Sequence, residues 1–476
     1  MLPLRHAPRY FARAMLVWGG LAAGLAAQTM PANDPLLQPL PEYTHPAPGE
    51  PLPASEEQFE QLLSLAATNS PIMREQEETV SQVNADRFRS WMRHTPIISA
   101  SYSIGAFYQT NAAGTSGSSV TPGGSFTLQA SEPLWHWGAF DAQTQLGILN
   151  EEKAQNDAII AYAKLCLDLR KRYYDLIVQK NQAATLAQEV ESAKNRFDKA
   201  HILFAQGDAT QARVHELELD WQSSLTKRDE ADSTFSWQLT EFRRLTGSHS
   251  FAAEDVPDHI FLPQLDQPGL QAQNQDFDKN GVNQSPAARA ADLNEKALDR
   301  QITISSASRK PMFDLSASVS QQPYINSANN GLKFGTIFFV GVTGTWTLFD
   351  RGDSFAATQA LYSQKRATEN KFADTRDQTR NDADHSLHLI DLGLRALTLL
   401  KSQYEQQQQD YSRVQILVAT GQTEQTAVDD SRDALLNTRE QILSRQAEVA
   451  SAYYSFLSDI FQDPSLVNAP PYTKPR

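Results

Sequence analysis

The chain is built from two copies of one long unit. Residues in the first half return in the second half at an offset of about 214, so that Leu134 corresponds to Leu348. Further matched pairs are Ser70 with Ser285, Pro96 with Pro311, Gly138 with Gly352, Leu203 with Leu417, and Gly207 with Gly421. Repetition at a fixed offset predicts a duplicated structural unit, and this unit is far longer than the roughly 20 to 50 residues of ordinary solenoid repeats.

Composition narrows the class of protein before any motif is considered. With 40% hydrophobic residues and a mean hydropathy of −0.47, the chain lacks the apolar content of a helical transporter. Its net charge is −14 and its basic residues are scattered, so no nucleic-acid partner is expected. The single cysteine, Cys166, allows no intramolecular disulfide and suits a packed core thiol.

The N-terminal region predicts export. Arg5, Arg9 and Arg13 precede a short apolar run that ends in small residues, which is the pattern of a signal peptide at 1–27. A proline-rich segment at 28–54 follows, and its composition predicts an extended chain. Folded structure is therefore expected to start at about residue 55.

Each copy contains two stretches in which every second residue is apolar, the period of a β-strand. The four strands are predicted at about 97–109, 124–135, 312–322 and 335–349. The intervening residues are mostly serine, threonine and glycine, which predicts a wet face on the sheet. Alternation alone also fits a soluble sheet with one serine-rich face.

The length of these strands favours a membrane barrel over the soluble sheet. Tilted strands of about ten residues are long enough to cross a bilayer. A sheet in lipid can have no free edge, and four strands cannot close on themselves. Several chains must therefore pool their strands, and three copies would supply twelve.

Each copy also contains a long helix followed by a shorter one. The long helices are predicted at about 139–205 and 353–419, where proline is absent and apolar residues recur at steps of three and four. Such a helix, about 66 residues long, measures roughly 100 Å. Gly207 and Gly421 are predicted to end these helices. The shorter helices are predicted to follow at about 208–246 and 423–461. Each is too short to cover its long partner, which predicts end-to-end stacking with a preceding short helix.

The order of these elements resembles the TolC-like outer-membrane factors of efflux and type I secretion systems. The similarity covers about 55–461, and its local signatures recur at the same offset. They are Asn69-Ser70-Pro71, Pro133-Leu134-Trp135 before Gly138, Thr347-Leu348-Phe349 before Gly352, and Leu245-Thr246-Gly247. The resemblance implies a helix-dominated membrane protein whose homotrimer forms a 12-stranded outer-membrane β-barrel and a periplasmic 12-helix α-barrel.

The resemblance also gives meaning to the segments outside the long hairpins. Repeat 1 is expected at 55–247 and repeat 2 at 285–461, with a linker at 248–284 and a C-terminal tail at 462–476. The linker and both termini would form a mixed equatorial region. Gly138 and Gly352 would mark the strand-to-helix junctions.

As a member of this family, the chain would be a passive exit channel in the outer membrane that extends into the periplasm. The implied partners are two further copies, outer-membrane lipid, a periplasmic adaptor (membrane fusion) protein and an inner-membrane pump of RND, ABC or MFS type. Adaptor docking is expected at the hairpin tips marked by Gly207 and Gly421. The residues after these glycines depart from the hydrophobic ones usual in the family, which leaves the identity of the adaptor open.

The resemblance identifies candidate residues for a periplasmic constriction of the pore. In the family, acidic residues face the axis about nine positions after the second turn glycine, and here that position is Asp430. Asp429 lies beside it, and the same offset in the first copy gives Glu216. Threefold symmetry would turn one aspartate into a ring of carboxylates that attracts cations. An ordinary solvated helix face is the alternative.

Other chemistry finds little support in the sequence. Asp276, Asp278 and Asn280 imitate the start of a calcium loop, but Ala287 stands where the bidentate glutamate belongs. No nucleophile, base and orienting group cluster along the chain, so neither enzymatic activity nor a cofactor is expected. A structural trimeric coiled-coil surface protein or adhesin without an open lumen remains the alternative function.

Overall fold

The computed structural model describes residues 54–110, 118–262, 265–326 and 331–473. The expected signal peptide and the proline-rich segment up to residue 53 lie outside these ranges, as does the end of the C-terminal tail. The α-helices are α1 (Ala54–Asn69), α2 (Pro71–Met92), α3 (Ala139–Gln206), α4 (Gln211–Thr246), α5 (Gln267–Asp276), α6 (Pro286–Ala307), α7 (Asp353–Ala419) and α8 (Gln425–Asp459). The strands are β1 (Ile97–Thr110), β2 (Ser118–Trp135), β3 (Met312–Asn326) and β4 (Gly331–Thr345).

The two longest helices, α3 and α7, are bounded by glycines with left-handed backbone. Gly138 and Gly352 precede them, and Gly207 and Gly421 follow them, all with φ between 71 and 89°. Because glycine lacks a Cβ atom, it adopts this conformation without the steric cost that other residues incur. Of the helices in the described ranges, none combines the length and apolar character needed to cross a membrane.

In repeat 1, two short helices lie end to end along α3. The first half of α3 packs on α2, where Arg87 forms an ion pair with Glu151. The second half packs on α4, where the rings of Phe197 and Trp221 stack at 5.7 Å. The end of α4 meets the junction between α1 and α2 so closely that a Cβ atom on Gly247 would lie 2.5 Å from Asn69 Cβ. Thus α2 and α4 together cover α3.

Repeat 2 has the same construction. Ser305 of α6 hydrogen-bonds to Thr358 in the first half of α7 at 2.9 Å. Ser386, further along α7, donates to Asp459 of α8 at 2.9 Å. Helices α6 and α8 therefore cover α7 as α2 and α4 cover α3.

The two repeats lie side by side because α3 also contacts the short helices of repeat 2. Asn156 donates to the backbone carbonyl of Pro286 at 2.8 Å, at the start of α6. Arg432 of α8 donates to Gln188 of α3 at 2.7 Å. Across the layer, the stacked helices α4 and α2 come first, α3 lies beside them, the stacked helices α8 and α6 follow, and α7 comes last. The stack of α4 and α2 therefore forms one flank, and α7 forms the other.

The main hydrophobic core lies where α1, α3, α4, the linker, α7 and α8 meet. Tyr162, Leu169, Tyr173, Phe242 and Phe456 are among its fully buried members. Burial of each such side chain contributes about 1.5–3 kcal/mol. The prediction that Cys166 is a packed core thiol is confirmed, because its side chain lies in this cluster. Burial raises the pKa of the Cys166 thiol to about 11.

The four strands form one antiparallel sheet in the order β1-β2-β3-β4. One cross-strand row runs through Ile98, Ala130, Ala317 and Val340. A bulge at Leu134 interrupts the pairing of β2 with β3. Within the described residues, β1 and β4 each pair on one side only, so the sheet has two open edges.

The strand bounds differ from the predicted ones at the turns. β2 begins at Ser118 rather than about 124, and β3 continues to Asn326 rather than about 322, because hairpin pairing extends through segments without alternation. Backbone groups form these bonds whatever side chains they carry. β4 lies four residues earlier at both ends than the predicted 335–349. Its pairing stops at Thr345 because β3 offers no partner before Met312.

The linker expected at 248–284 contains regular structure of its own. Helix α5 occupies Gln267–Asp276 and continues into a short π-helical turn at Phe277–Gly281. Leu270 and Phe277 are buried in the main core. The linker is therefore anchored to the helices rather than merely connecting the repeats.

Candidate channel wall and periplasmic aperture

One face of the sheet is apolar from edge to edge. The row of Ala100, Leu128, Val319 and Phe338 lies next to the row that ends in Val340. Phe338 is 74% exposed and Val340 78% exposed, although both are large apolar side chains. An apolar patch of this extent indicates contact with lipid or with another protein.

The opposite face is mostly small and polar, as the alternation predicts. The row of Ser101, Thr127 and Ser320 crosses three strands, and Ser103 and Ser125 hydrogen-bond across β1 and β2 at 2.7 Å. The edge strand β4 departs from this pattern. Its residues on this face include Ile337, opposite Ser320, and Phe339, opposite Ser318.

Ile337 and Phe339 do not fit the alternation that predicts the strand, but the sequence around them does mark them. The unbroken apolar run from Ile337 to Val340 contradicts simple alternation. A strand with apolar residues on both faces is expected where one face meets lipid and the other meets a further apolar group.

Both hairpin tips end in the same hydrogen-bonded turn. The amide of Asp208 donates to the carbonyl of Leu203 at 2.9 Å, and that of Gly207 to Phe204 at 3.0 Å. In repeat 2, Gln422 donates to Leu417 and Gly421 donates to Val418, at 2.9 and 3.0 Å. This pair of bonds is the Schellman motif, which requires left-handed backbone at the glycine.

The strand-to-helix junctions contain two successive left-handed residues. Trp137 has φ 53° before Gly138, and Arg351 has φ 59° before Gly352. A side chain larger than hydrogen in this region costs about 1–2 kcal/mol. Because the same strained position occurs in both repeats, the surrounding structure must hold it in place.

The three predicted aperture acids lie in the second turns of the returning helices. Asp430 is exposed and Asp429 half-buried in α8, and Glu216 is exposed in α4. Glu216 accepts a hydrogen bond from Arg213 at 2.8 Å, so its charge is partly compensated. Among the described residues no three Asp, Glu, His or Cys side chains form a close cluster, so a single chain does not bring the three carboxylates together.

Two further acids on α8 continue the line of Asp429 toward the middle of the helix. Asp433 follows after four residues and Glu440 after another seven, spacings that keep all three on one helix face. Burial raises the pKa of the Asp433 carboxyl, opposed by Arg196 and reinforced by Glu189. Burial likewise raises the pKa of Glu440. Neither acid was among the predicted aperture residues, although their spacing from Asp429 already places them on the same helix face.

A buried ion cluster ties the C-terminal tail to the helices. Arg170 of α3 is 1% exposed and contacts Asp463 at 2.5 Å and Glu60 of α1 at 3.3 Å. The guanidinium also lies 4.1 Å from the centre of the Tyr454 ring. Burial alone would lower the pKa of Arg170, but its interactions with Asp463, Tyr454 and Glu60 together outweigh burial and raise the pKa. Asp463 in turn accepts hydrogen bonds from the Ser465 amide and hydroxyl, at 2.9 and 2.7 Å.

The residues of the apparent calcium motif are engaged in other contacts. Asp278 forms an ion pair with Arg380, and Asp276 accepts from Asn280 at 2.9 Å. These residues lie in α5 and the π-helical turn that follows it. Within the ranges that the structure describes, no three His, Cys, Asp or Glu side chains lie close enough to hold a metal ion.

The apolar sheet face, the wet opposite face and the glycine-ended hairpins together define a class, the membrane-inserted export channels. Comparison with known families then identifies the group within it. The sequence matches the family described as "Outer membrane efflux protein" at residues 62–247 and 282–456. The chain therefore belongs to the outer membrane efflux protein family, and it is an efflux channel of the outer membrane that extends into the periplasm. This family favours the channel over the coiled-coil adhesin considered as the alternative.

Solved structures of several bacterial channels have the same fold. The outer membrane protein VceC of Vibrio cholerae is 14% identical, with a TM-score of 0.63, over 85% of this chain and 96% of its own. The Campylobacter jejuni CmeC outer membrane channel is 13% identical, with a TM-score of 0.67, over 88% of this chain and 89% of its own. The Neisseria gonorrhoeae MtrE outer membrane channel is 12% identical, with a TM-score of 0.60, over 88% of this chain and 97% of its own. Comparison with curated protein sequences gave no match.

Proposed function

We propose that three copies of this chain form a continuous duct, with a twelve-stranded barrel in the outer membrane and a twelve-helix barrel below it. The observation that carries this proposal is the open four-stranded sheet with its exposed apolar face. Unpaired backbone groups at the edges of β1 and β4 would each cost several kcal/mol in lipid. Pairing β4 of one copy with β1 of the next removes every such edge.

The two flanks of the helical layer support the same assembly. On α7, Leu389, Leu392 and Leu399 are exposed. On the opposite flank, Trp237 of α4 and Phe88 of α2 are exposed. Apolar residues on both flanks suit a ring in which α7 of one copy packs on α4 and α2 of the next, a head-to-tail contact that closes by rotation.

Inside this assembly the chain acts as a passive conduit. The serine- and threonine-rich face of the sheet would line a wet lumen. Asp429 and Asp430, with Glu216, would surround the periplasmic aperture as rings of carboxylates. A duct of this kind selects by diameter, charge and wall polarity and needs no catalytic group.

The hairpin tips are the proposed docking sites for a periplasmic adaptor that connects the duct to an inner-membrane pump. Exposed apolar residues precede the turn glycines: Ile202, Leu203 and Phe204 before Gly207, and Ile416 before Gly421. They would supply the apolar contacts that the polar residues after each glycine lack. The sequence departure after the glycines therefore shifts the proposed contact to the preceding turn of each long helix.

Conductance of the purified protein in planar bilayers tests the channel assembly. We expect stable trimers by mass photometry in detergent and stepwise, ion-conducting insertions at several voltages. Stable monomers in detergent and in native envelopes, or trimers that never conduct, would contradict the proposal.

A further inference from the structure

Aromatic and basic residues meet at the end of the sheet that adjoins the helices. We call Trp135, Trp137, Arg309, Lys310, Trp346 and Arg351 the junction belt. Trp135 and Trp346 are each 58% exposed. The bulge at Leu134 changes the alternation of β2 and sets Trp135 opposite Phe313, on the apolar face of the sheet. The belt therefore continues the apolar face toward the helices.

Two tryptophans of the junction belt are fixed by equivalent hydrogen bonds. The Trp137 indole N–H donates to the backbone carbonyl of Pro311 at 2.7 Å, just before β3. The Trp346 indole N–H donates to the carbonyl of Arg309 at 3.2 Å. Trp135 and Trp137 pack edge to face with ring centres 5.9 Å apart. The polar atom of each fixed indole is satisfied by the protein, and the rings remain available to an apolar neighbour.

The cations of the junction belt are exposed on this chain of net negative charge. Lys310 Nζ lies 4.8 Å from the centre of the Trp137 ring. Arg309 and Arg351 form no ion pair with any described residue. Either cation is therefore free to meet an anion from outside the chain.

Two neighbouring carboxylates, those of Asp314 and Asp350, are engaged by other groups of the protein. Asp314 lies 2.7 Å from the ring nitrogen of His136. Asp350 accepts hydrogen bonds from the amides of Ser354 and Gly352 at 2.9 and 3.0 Å. Glu132, on the apolar face opposite Leu315, is half-buried.

We propose that the junction belt binds the headgroup of a phospholipid with net negative charge in the periplasmic leaflet. Tryptophan rings favour the headgroup level of a bilayer, and basic clusters attract anionic headgroups. The belt lies at the boundary between the apolar sheet and the polar helices, where the headgroups of that leaflet would stand. This inference rests on the proposed function, because the sheet must lie in the membrane.

Lipid retention by the full-length protein tests this binding. The purified trimer is incubated with equal amounts of phosphatidylglycerol and phosphatidylethanolamine that carry the same acyl chains, and retained lipids are counted by native mass spectrometry. We expect phosphatidylglycerol to be preferred in the wild type. Each cation that meets the headgroup should contribute about fivefold. The triple variant R309Q/K310Q/R351Q should lose the preference and keep the tryptophans.

A matched variant separates the junction belt from general surface charge. K194Q/K199Q/K227Q also removes three cations, but from the α3 and α4 hairpin, and it should retain the wild-type preference. Equal retention of both lipids by the wild type, or an unchanged preference in the belt variant, would overturn the proposal. Bilayer conductance of the belt variant tests the channel separately. A belt variant that conducts ions shows that the channel assembles, whatever the outcome of the lipid measurement.

Discussion

A single carboxyl on α8 illustrates how a buried acid makes stability depend on pH. Asp459 accepts a hydrogen bond from Ser386 at 2.9 Å. Burial, opposed by this bond and reinforced by Asp382, raises the pKa of Asp459 to about 6 from an ordinary value of 3.8. The folded chain therefore binds this proton more tightly than the unfolded chain does. The resulting cost to folding is fully present above pH 6 and is relieved as the pH falls toward 4.

We expect Asp459→Asn to stabilise the protein at pH 7.5, because it removes this cost and keeps an acceptor for Ser386. The gain should be about 1–2 kcal/mol after allowance for solvent screening, and it should vanish near pH 4. Thermal unfolding of the detergent-solubilised protein at both pH values measures it. Asp198→Asn, which changes an exposed acid of α3, is the control and should show no such dependence. A loss of stability at pH 7.5 would contradict the prediction.

Residues differ in how far the sequence alone reveals their role. The turn glycines were predictable because duplication marks them twice and left-handed backbone favours glycine. The Arg170–Asp463 pair was not, because its members are separated by 293 positions and no local pattern links them. The roles of Asp429, Asp430 and Glu216 at the aperture stay predictions, since they depend on three copies meeting at an axis.

At the scale of elements, α7 and α8 pack closely at Gly393. A Cβ atom there would lie 2.4 Å from Cγ2 of Val449. Valine has little rotamer freedom in a helix, so the two helices would have to move apart. Gly393 thus permits a close approach that no larger residue allows.

We expect Gly393→Ala to destabilise the protein, although alanine is normally the better helix former. The steric conflict should cost about 1–3 kcal/mol, against a gain of up to about 1 kcal/mol in helix propensity. The double variant G393A/V449A lacks this steric conflict and should therefore be more stable than V449A alone. Urea unfolding of the four proteins forms a double-mutant cycle. Additive effects of the two substitutions would rule out the proposed contact.

The bounds of helices and strands were predicted best where a long periodic pattern supports them, and worst where backbone hydrogen bonding alone sets them. The long helix at 353–419 has the same bounds in the structure, because a proline-free stretch between two special glycines leaves little choice. Apolar residues recur at steps of three and four along α3, and all but the first of the following six are buried: Ile159, Tyr162, Cys166, Leu169, Tyr173 and Leu176. The turn-side ends of β2, β3 and β4 were displaced because hairpin pairing extends through segments with no alternation, and β4 ends early at Thr345 because β3 offers no further partner.

At the scale of the assembled molecule, the proposed aperture makes the channel sensitive to cations. Carboxylates from three copies would lie around one axis and raise the local cation concentration. Glu216 is paired with Arg213, whereas no ion pair of Asp430 with a described residue is found. The two positions should therefore contribute unequally.

We expect D429N/D430N to weaken block of the conducting trimer by divalent cations by about tenfold, because six carboxylates leave the axis. E216Q should change the block much less, since Arg213 already compensates that charge. Single-channel recordings with increasing magnesium from the periplasmic side measure both. If the double variant and the wild type are blocked equally, these aspartates do not face the pore.

The buried ion pair between Arg170 and Asp463 also has a consequence for biogenesis. Export through the inner membrane delivers a polypeptide from its N-terminus, so Asp463 emerges long after Arg170 and Glu60. Until then, the guanidinium in α3 lacks its main counter-ion, and burying it unpaired costs several kcal/mol. The helices around Arg170 are therefore expected to pack fully only after Asp463 has been delivered. Products that lack Asp463 would leave the core around Arg170 incompletely packed, and periplasmic proteases would have access to it.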